Sequence, residues 1–179
     1  PLTLNDFSKA ISSLPDKQCH SDPWPTKLLK QYSSLVSLFL LHLFNISLHS
    51  GVFLTSFKFA YITPILKKAD LNPADPRSYR PISNHTVISK LLERLVCHQL
   101  VQYHSSNSLL PDLQSAYIPH RSNETAILRI LSDILLALDS GNIAVLSLLD
   151  LSAAFDTVDY ESLLTRLDRS YGCTGAVHP

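Results

Sequence analysis

The stretch Asn142–Tyr160 reads NIAVLSLLDLSAAFDTVDY. From Ile143 to Leu149 both alternating faces are apolar except at Ser147, so the run predicts a strand inside a sheet covered on both sides. Asp150 closes that run, and Phe155 follows five residues later. Carboxylates are rare in such surroundings unless something compensates them, and strand ends are where α/β folds hold ligands. Two readings fit Asp150. Its oxygens can hold a hard divalent cation, since Mg²⁺ needs only one or two carboxylates besides substrate phosphates. Alternatively, Asp150 begins a turn or pairs with a Lys or Arg. Phe155 is correspondingly either a core aromatic or a wall beneath a sugar bound beside that metal. Asp156 can brace the turn through backbone N–H groups, and Asp159 stands where it would cap a short helix running to Leu167.

Upstream, Leu4, Phe7, Ala10, Ile11 and Leu14 form a helical stripe that Pro15 ends. Residues 16–25 are a polar, proline-rich connector in which Trp24 reads as a packing anchor. Thr26 to Leu48 predicts one long helix with Gly51 as its stop. Within it, Leu35–Leu48 is too short and too interrupted by His42 and Asn45 to cross a bilayer, so a buried helix is expected. Phe59 to Leu66 predicts an edge strand because of Pro64, and Lys67–Arg80 predicts a loop. Val87–Leu100 and the segment from Ser122 to about Asp139 have helical period, with Ser122 as N-cap. The order of helices and strands implies an α/β or α+β fold, rich in helix with a few strands.

Composition narrows the function classes. The 179 residues are 45% hydrophobic and 17% charged, which excludes a disordered chain. Formal net charge is zero, so nucleic acid would have to be held by a local patch rather than a global field. Lys67 to Arg94 supplies a modest one: Lys67, Lys68, Arg77, Arg80, Lys90 and Arg94 against Asp70, Asp75 and Glu93. Lys67, Lys68 and Arg80 are either a solvated basic loop or a phosphate grip, Arg by a bidentate fork and Lys as a mobile point charge. Cys19, Cys97 and Cys173 show neither metal spacing nor a disulfide framework, which fits a reducing compartment. Sequons at Asn45, Asn84 and Asn123 matter only on a secretory route, and no signal peptide is present. With four Gly there is no glycine-rich phosphate loop, and no Ser-His-Asp or Cys-His arrangement suggests itself. The chain starts at Pro1 and contains no Met, so it reads as an excised piece.

Several ordered blocks resemble the reverse transcriptase of non-LTR (LINE-type) retrotransposons. FKFAYITPILKK (Phe57–Lys68), YRPISN (Tyr79–Asn84) and SKLLERLV (Ser89–Val96) are similar to its fingers region. LQSAYIPHRSNETAIL (Leu113–Leu128) resembles the next block, and LLDLSAAFDTVDY (Leu148–Tyr160) the first palm motif. DPWPTKLLK (Asp22–Lys30) and NISLHSGVF (Asn45–Phe53) look like the segment preceding the fingers. The resemblance implies part of the fingers and palm of a right-hand polymerase: residues 1–56 a helical segment before the fingers, 57–141 the fingers with connecting helices, and 142–179 the truncated start of the palm. It implies that Asp150 is the first catalytic aspartate and a Mg²⁺ ligand. Phe155 would be the aromatic that rejects ribose, and Lys67 or Lys68 and Arg80 the phosphate contacts. RNA template, DNA primer and dNTP are the implied partners, with no membrane and no specific protein partner. A cytoplasmic and nuclear location is implied for the intact element.

Departures from the family pattern are visible. Ala116, Tyr117 and Ile118 stand where Gly, Phe and Arg are usual, His120 and Asn123 where Gly and Thr are usual, and Leu54 where Pro is common. The second catalytic motif, an aromatic-x-Asp-Asp hairpin, would lie beyond Pro179, and the chain contains no Asp-Asp pair. The 179-residue chain alone is therefore expected to be inactive. The competing reading is a degenerate or domesticated remnant that binds nucleic acid or protein.

Overall fold

The computed structural model describes residues 1–16, 22–151, 154 and 157–173. Among them the fold is mixed α/β: helix-rich, with one two-stranded sheet. In chain order the elements are α1 Leu4–Ser12, α2 Thr26–Gln31, α3 Ser33–Ser50, α4 Thr55–Lys58, β1 Ala60–Leu66, β2 Tyr79–His85, α5 Val87–Ser106, α6 Asn123–Asp139 and α7 Tyr160–Arg169. A 3₁₀ turn, Pro76–Ser78, precedes β2. Two compact units result, one built on Pro1–Tyr103 and the other His104–Tyr171.

The core of the first unit is made by helices. Phe7 and Ile11 of α1, Leu29 of α2, Leu40 and Phe44 of α3, and Leu91, Leu92 and Leu95 of α5 are buried together. The spacing in α1 and α5 is three or four residues, which keeps one stripe on one side of each helix. Phe7 meets Phe44 at a ring separation of 5.7 Å, and Phe44 meets Phe57 edge-on at 6.3 Å. α1 starts at a capping box in which Thr3 accepts from the Asp6 N–H and Asp6 accepts from the Thr3 N–H. Hydrogen bonding by Thr3 lowers the Asp6 carboxyl below its ordinary value.

Two expectations about the long N-terminal helix need correction. It is broken at Tyr32, whose φ of −103° and ψ of 20° end α2 and start α3. Nor is α3 buried all round. Ser37, Leu40, Phe44 and Ser47 face the core, while Leu35, Leu38, Phe39 and Ile46 are exposed. At 18 residues α3 is, by length and composition alone, long and apolar enough to cross a membrane. Gly51 ends it in the left-handed conformation at φ 70°, as expected for a helix stop that only glycine adopts without cost.

Three polar side chains tie the segments across the sequence. Asn45 Oδ1 accepts from the Leu2 N–H at 2.7 Å while its Nδ2 donates to the Leu2 carbonyl at 3.2 Å. Ser89, fully buried, donates to the Phe57 carbonyl at 2.9 Å. Asp22 is the most consequential. Its carboxylate accepts from the Val87 N–H at 2.6 Å, the first residue of α5, and from the Trp24 N–H at 3.0 Å. A helix start leaves orphan donors, and here a residue 65 positions away satisfies one of them with negative charge. Because the contact is buried, Asp22→Ala is expected to cost about 1–3 kcal/mol, read from the urea midpoint; a loss under about 0.5 kcal/mol would assign the capping to other groups.

Candidate functional site

The basic candidates sit on the β1–β2 hairpin. β1 follows the predicted strand, but β2 runs through what the sequence suggested was the end of a loop and a motif of unspecified structure. The strands are antiparallel with Ile65 opposite Arg80 and Pro64 opposite Pro81. The Lys67 N–H donates to the Ser78 carbonyl at 2.8 Å, so Lys67–Ser78 is a hydrogen-bonded pair. Counting back by alternation, Pro64–Pro81 is a non-hydrogen-bonded pair. Neither proline therefore removes a ladder bond. Both rings lie where the outer edges would have donated, which blocks further strand pairing there.

The same register puts Tyr61, Thr63, Ile65 and Lys67 on one face with Arg80, Ile82 and Asn84. Asn84 Nδ2 donates to Thr63 Oγ1 at 3.0 Å on that face. Lys67, Lys68 and Arg80 are all exposed. Lys67 Nζ donates to the Arg77 carbonyl at 2.8 Å, and the Tyr79 hydroxyl to the Pro73 carbonyl at 3.0 Å, so the connecting loop is braced from both strands. An ammonium has three donors, and one bond to Arg77 leaves two for a ligand. The hairpin thus brings Lys67 and Arg80 to one solvent-facing surface beside exposed Tyr61 and Ile65.

In the second unit, the loop before α6 is held by Arg121, whose guanidinium donates to the carbonyls of Asp112 and Gln114. Ser122 caps α6 by accepting from the Thr125 N–H at 3.3 Å, as expected, and lowers the Glu124 carboxyl through a hydrogen bond. Tyr117 and His120 have φ of 62° and 65°, in the left-handed region that favours glycine. His120 is one of the positions where the family pattern has Gly, so the departure carries backbone strain. His120→Gly is expected to be neutral to stabilising by up to about 1 kcal/mol, the left-handed penalty offset in part by the greater chain entropy of glycine. A thermal shift downward by several degrees would contradict that.

The expected central strand is not formed. Residues 142–151 are without ladder pairing, and Ile143, Val145 and Leu149 are about nine-tenths exposed. A strand is stable only with hydrogen-bonded neighbours, and no described residue pairs with this one. Asp150 lies in this unpaired segment with an exposed side chain. Phe155 and Asp156 lie outside the described residues. Asp159 does cap α7: its carboxylate accepts from the Ser162 N–H at 3.0 Å, and that bonding holds it below its ordinary value. The cap is therefore in place above the usual carboxylate range and is lost as pH falls through the lowered value.

As a metal donor, Asp150 offers the hard oxygen that Mg²⁺ takes, and one such ligand with phosphates and waters suffices for that ion. Among the described residues no cluster of three or more His, Cys, Asp or Glu could hold a metal by itself. The chain fits a single-carboxylate contribution to a Mg²⁺ site.

Comparison with known proteins bears out the resemblance read from the blocks above. Residues 65–173 match the family described as reverse transcriptase (RNA-dependent DNA polymerase). The chain is similar to the probable RNA-directed DNA polymerase from transposon BS of Drosophila melanogaster, 29% identical over 172 residues, covering 96% of this chain and 19% of that protein. It is similar to the RNA-directed DNA polymerase from mobile element jockey of the same species, 27% identical over 95% of this chain and 19% of that protein. The jockey polymerase of Drosophila funebris is 28% identical over 92% of this chain and 18% of its own length. The chain thus spans about one fifth of the length of the curated relatives it matches.

Proposed function

The chain belongs to the reverse transcriptase (RNA-dependent DNA polymerase) family, and on that premise we propose that it supplies the fingers and the start of the palm of a retrotransposon polymerase. The observation that carries the reading is the matched span itself. Residues 65–173 contain Lys67, Lys68, Arg80, Asp150 and Phe155, the residues to which the family resemblance gives a catalytic or binding role.

In the reaction the primer 3′-hydroxyl loses its proton to solvent and its oxygen bonds to the α-phosphorus of a dNTP, opposite an RNA template, as the bond from that phosphorus to the bridging oxygen breaks and pyrophosphate leaves. Asp150 is the carboxylate of this chain that would hold Mg²⁺. When bound, that ion supplies Lewis-acid stabilisation of the charge that develops on the phosphoryl oxygens. Arg80 and Lys67 or Lys68 bind the triphosphate; all three are exposed, and Arg80 shares one hairpin face with Lys67, which leaves them available for it. By the family resemblance, Phe155 is the aromatic whose bulk would exclude a 2′-hydroxyl.

The test is a complete polymerase of this type carrying these 179 residues at the corresponding position. Phe155→Ala in it should raise ribonucleotide incorporation relative to dNTP by about 10–100-fold, since losing a steric wall relaxes discrimination by a few kcal/mol at most. Unchanged discrimination would leave Phe155 as a packing residue. The 179-residue chain by itself should extend no primer, because a two-ion site about 4 Å across needs carboxylates beyond Asp150. The second reading, a decayed copy that retains only binding, is favoured by the strained non-glycine at His120. RNA binding by the 179-residue chain, together with inactivity of the chimeric polymerase, would select it.

A further inference from the structure

We propose that Asp22 and Ser89 are positioning residues for triphosphate binding: acting at the root of the β1–β2 hairpin, they fix the direction in which Lys67 and Arg80 are held. The inference rests on the phosphate-binding reading of that hairpin. Packing does little to hold its direction. Tyr61, Ile65 and Ile82 on one face and Ile62 on the other are between 40% and 66% exposed. A ribbon open on both faces keeps its internal ladder yet is free to swing about its two ends.

Both ends meet α5, and a buried polar side chain ties each of them. β2 ends at His85, and Val87 opens α5 two residues later. The Val87 N–H donates to Asp22 Oδ2 at 2.6 Å, while Asp22 Oδ1 accepts from the Trp24 N–H at 3.0 Å. Asp22 is buried, and the chain beyond it is anchored by Thr26 and Leu29, both fully buried. On the other side, α4 ends at Lys58, two residues before β1 begins at Ala60. The Ser89 hydroxyl, in the first turn of α5, donates to the Phe57 carbonyl at 2.9 Å. The Phe57 ring packs on Phe44 and Phe53, so the core places that residue and the hydroxyl sets the direction of its carbonyl.

α5 also has a local cap. Thr86 accepts from the Ser89 N–H at 3.2 Å through Oγ1 and from the Lys90 N–H at 3.0 Å through its carbonyl. What the Asp22 carboxylate adds is a fixed point 65 positions away, set against the junction from which β2 leaves. The lever is long. Arg80 lies five residues from His85, roughly 17 Å along a strand, so a swing of about 10° would carry it about 3 Å. A hairpin free to swing holds its cations in the competent direction for only a fraction of the time, and apparent affinity falls by that fraction.

The experiment has two arms, both run well below each variant's melting midpoint. In the 179-residue chain lacking its three native cysteines, Ser8→Cys on α1 and Asp70→Cys in the hairpin loop carry spin labels, both positions being exposed. Their distance distribution, read by pulsed double electron resonance, should be single and narrow. It should at least double in width in Asp22→Asn, which keeps one carbonyl oxygen for two N–H groups, and in Ser89→Ala. Ile11→Val, a core truncation away from the hairpin root, should lower the melting midpoint and leave the width unchanged. In the chimeric polymerase, Asp22→Asn and Ser89→Ala should each raise the dNTP KM about tenfold with kcat within about threefold, the signature of a smaller competent fraction, and Ile11→Val should move neither. Unchanged widths, an equal broadening by Ile11→Val, or a KM unmoved by both anchor variants while Arg80→Ala raises it would overturn the positioning role. Broadened distributions with a KM unmoved by Arg80→Ala as well would overturn the proposal through the phosphate-binding reading on which it rests.

Discussion

Primer extension by a polymerase carrying this segment should fall about a thousandfold or more when Asp150 becomes Ala, the scale of losing a principal electrostatic stabiliser of a transition state. The loss should appear in kcat rather than in the dNTP KM, because a carboxylate that holds the ion acts on the charge that develops during transfer. Arg80→Ala should differ in kind. A group that binds triphosphate in ground and transition state alike should raise the dNTP KM by about 10–100-fold, with a smaller effect on kcat. Equal kinetic signatures for the two variants, measured by single-nucleotide incorporation, would remove the distinction between metal ligand and phosphate grip.

Phe44→Ala should cost about 3–5 kcal/mol of unfolding free energy, a large share of the ~5–15 kcal/mol typical of a domain. Phe44 is fully buried and sits between Phe7 and Phe57, so its removal opens a cavity where α1, α3 and α4 converge. Leu136→Ala, on the exposed surface of α6, should cost under about 0.5 kcal/mol. Urea unfolding compares the two. Similar losses would mean that the helical cluster is not what holds the first unit together.

What the sequence made legible is what depends on near neighbours. The stripe of α1 apart from Leu4, which is half exposed, the period of α5, the Ser122 and Asp159 caps and the Gly51 stop are all decided within one or two turns, and each appears where expected. β1 was legible as a short, largely apolar run, with Pro64 marking it as an edge strand. β2 was not read as a strand; the register sets Pro81 opposite Pro64, at a pair that needs no ladder bond, so a proline is tolerated there. The break at Tyr32 has no sequence signal, since neither Gly nor Pro marks it. Asp22 read as part of a connector because its partner, Val87, is 65 residues away. The run Ile143–Leu149 has strong strand character, yet a strand is a property of pairs, and this one has no partner among the described residues.

The roles of the site residues were legible only through the family resemblance. Charge and spacing alone left Asp150 open between a metal ligand and a turn residue, and Lys67, Lys68 and Arg80 open between a grip and a solvated loop. The hairpin register adds that Lys67 and Arg80 share a surface with Tyr61 and Ile65, a neighbourhood that no linear motif displays.

The central claim is that Asp150 is a metal-holding carboxylate of a polymerase, and metal rescue tests it most directly. In the chimeric polymerase, Asp150→Cys should be inactive with Mg²⁺, which prefers oxygen donors, and regain RNA-templated extension by at least about tenfold when Mn²⁺ or Cd²⁺ is supplied, since softer ions accept thiolate. Asp150→Ala should gain nothing from either ion. Extension by Asp150→Ala in Mg²⁺ within about twofold of wild type would contradict the account.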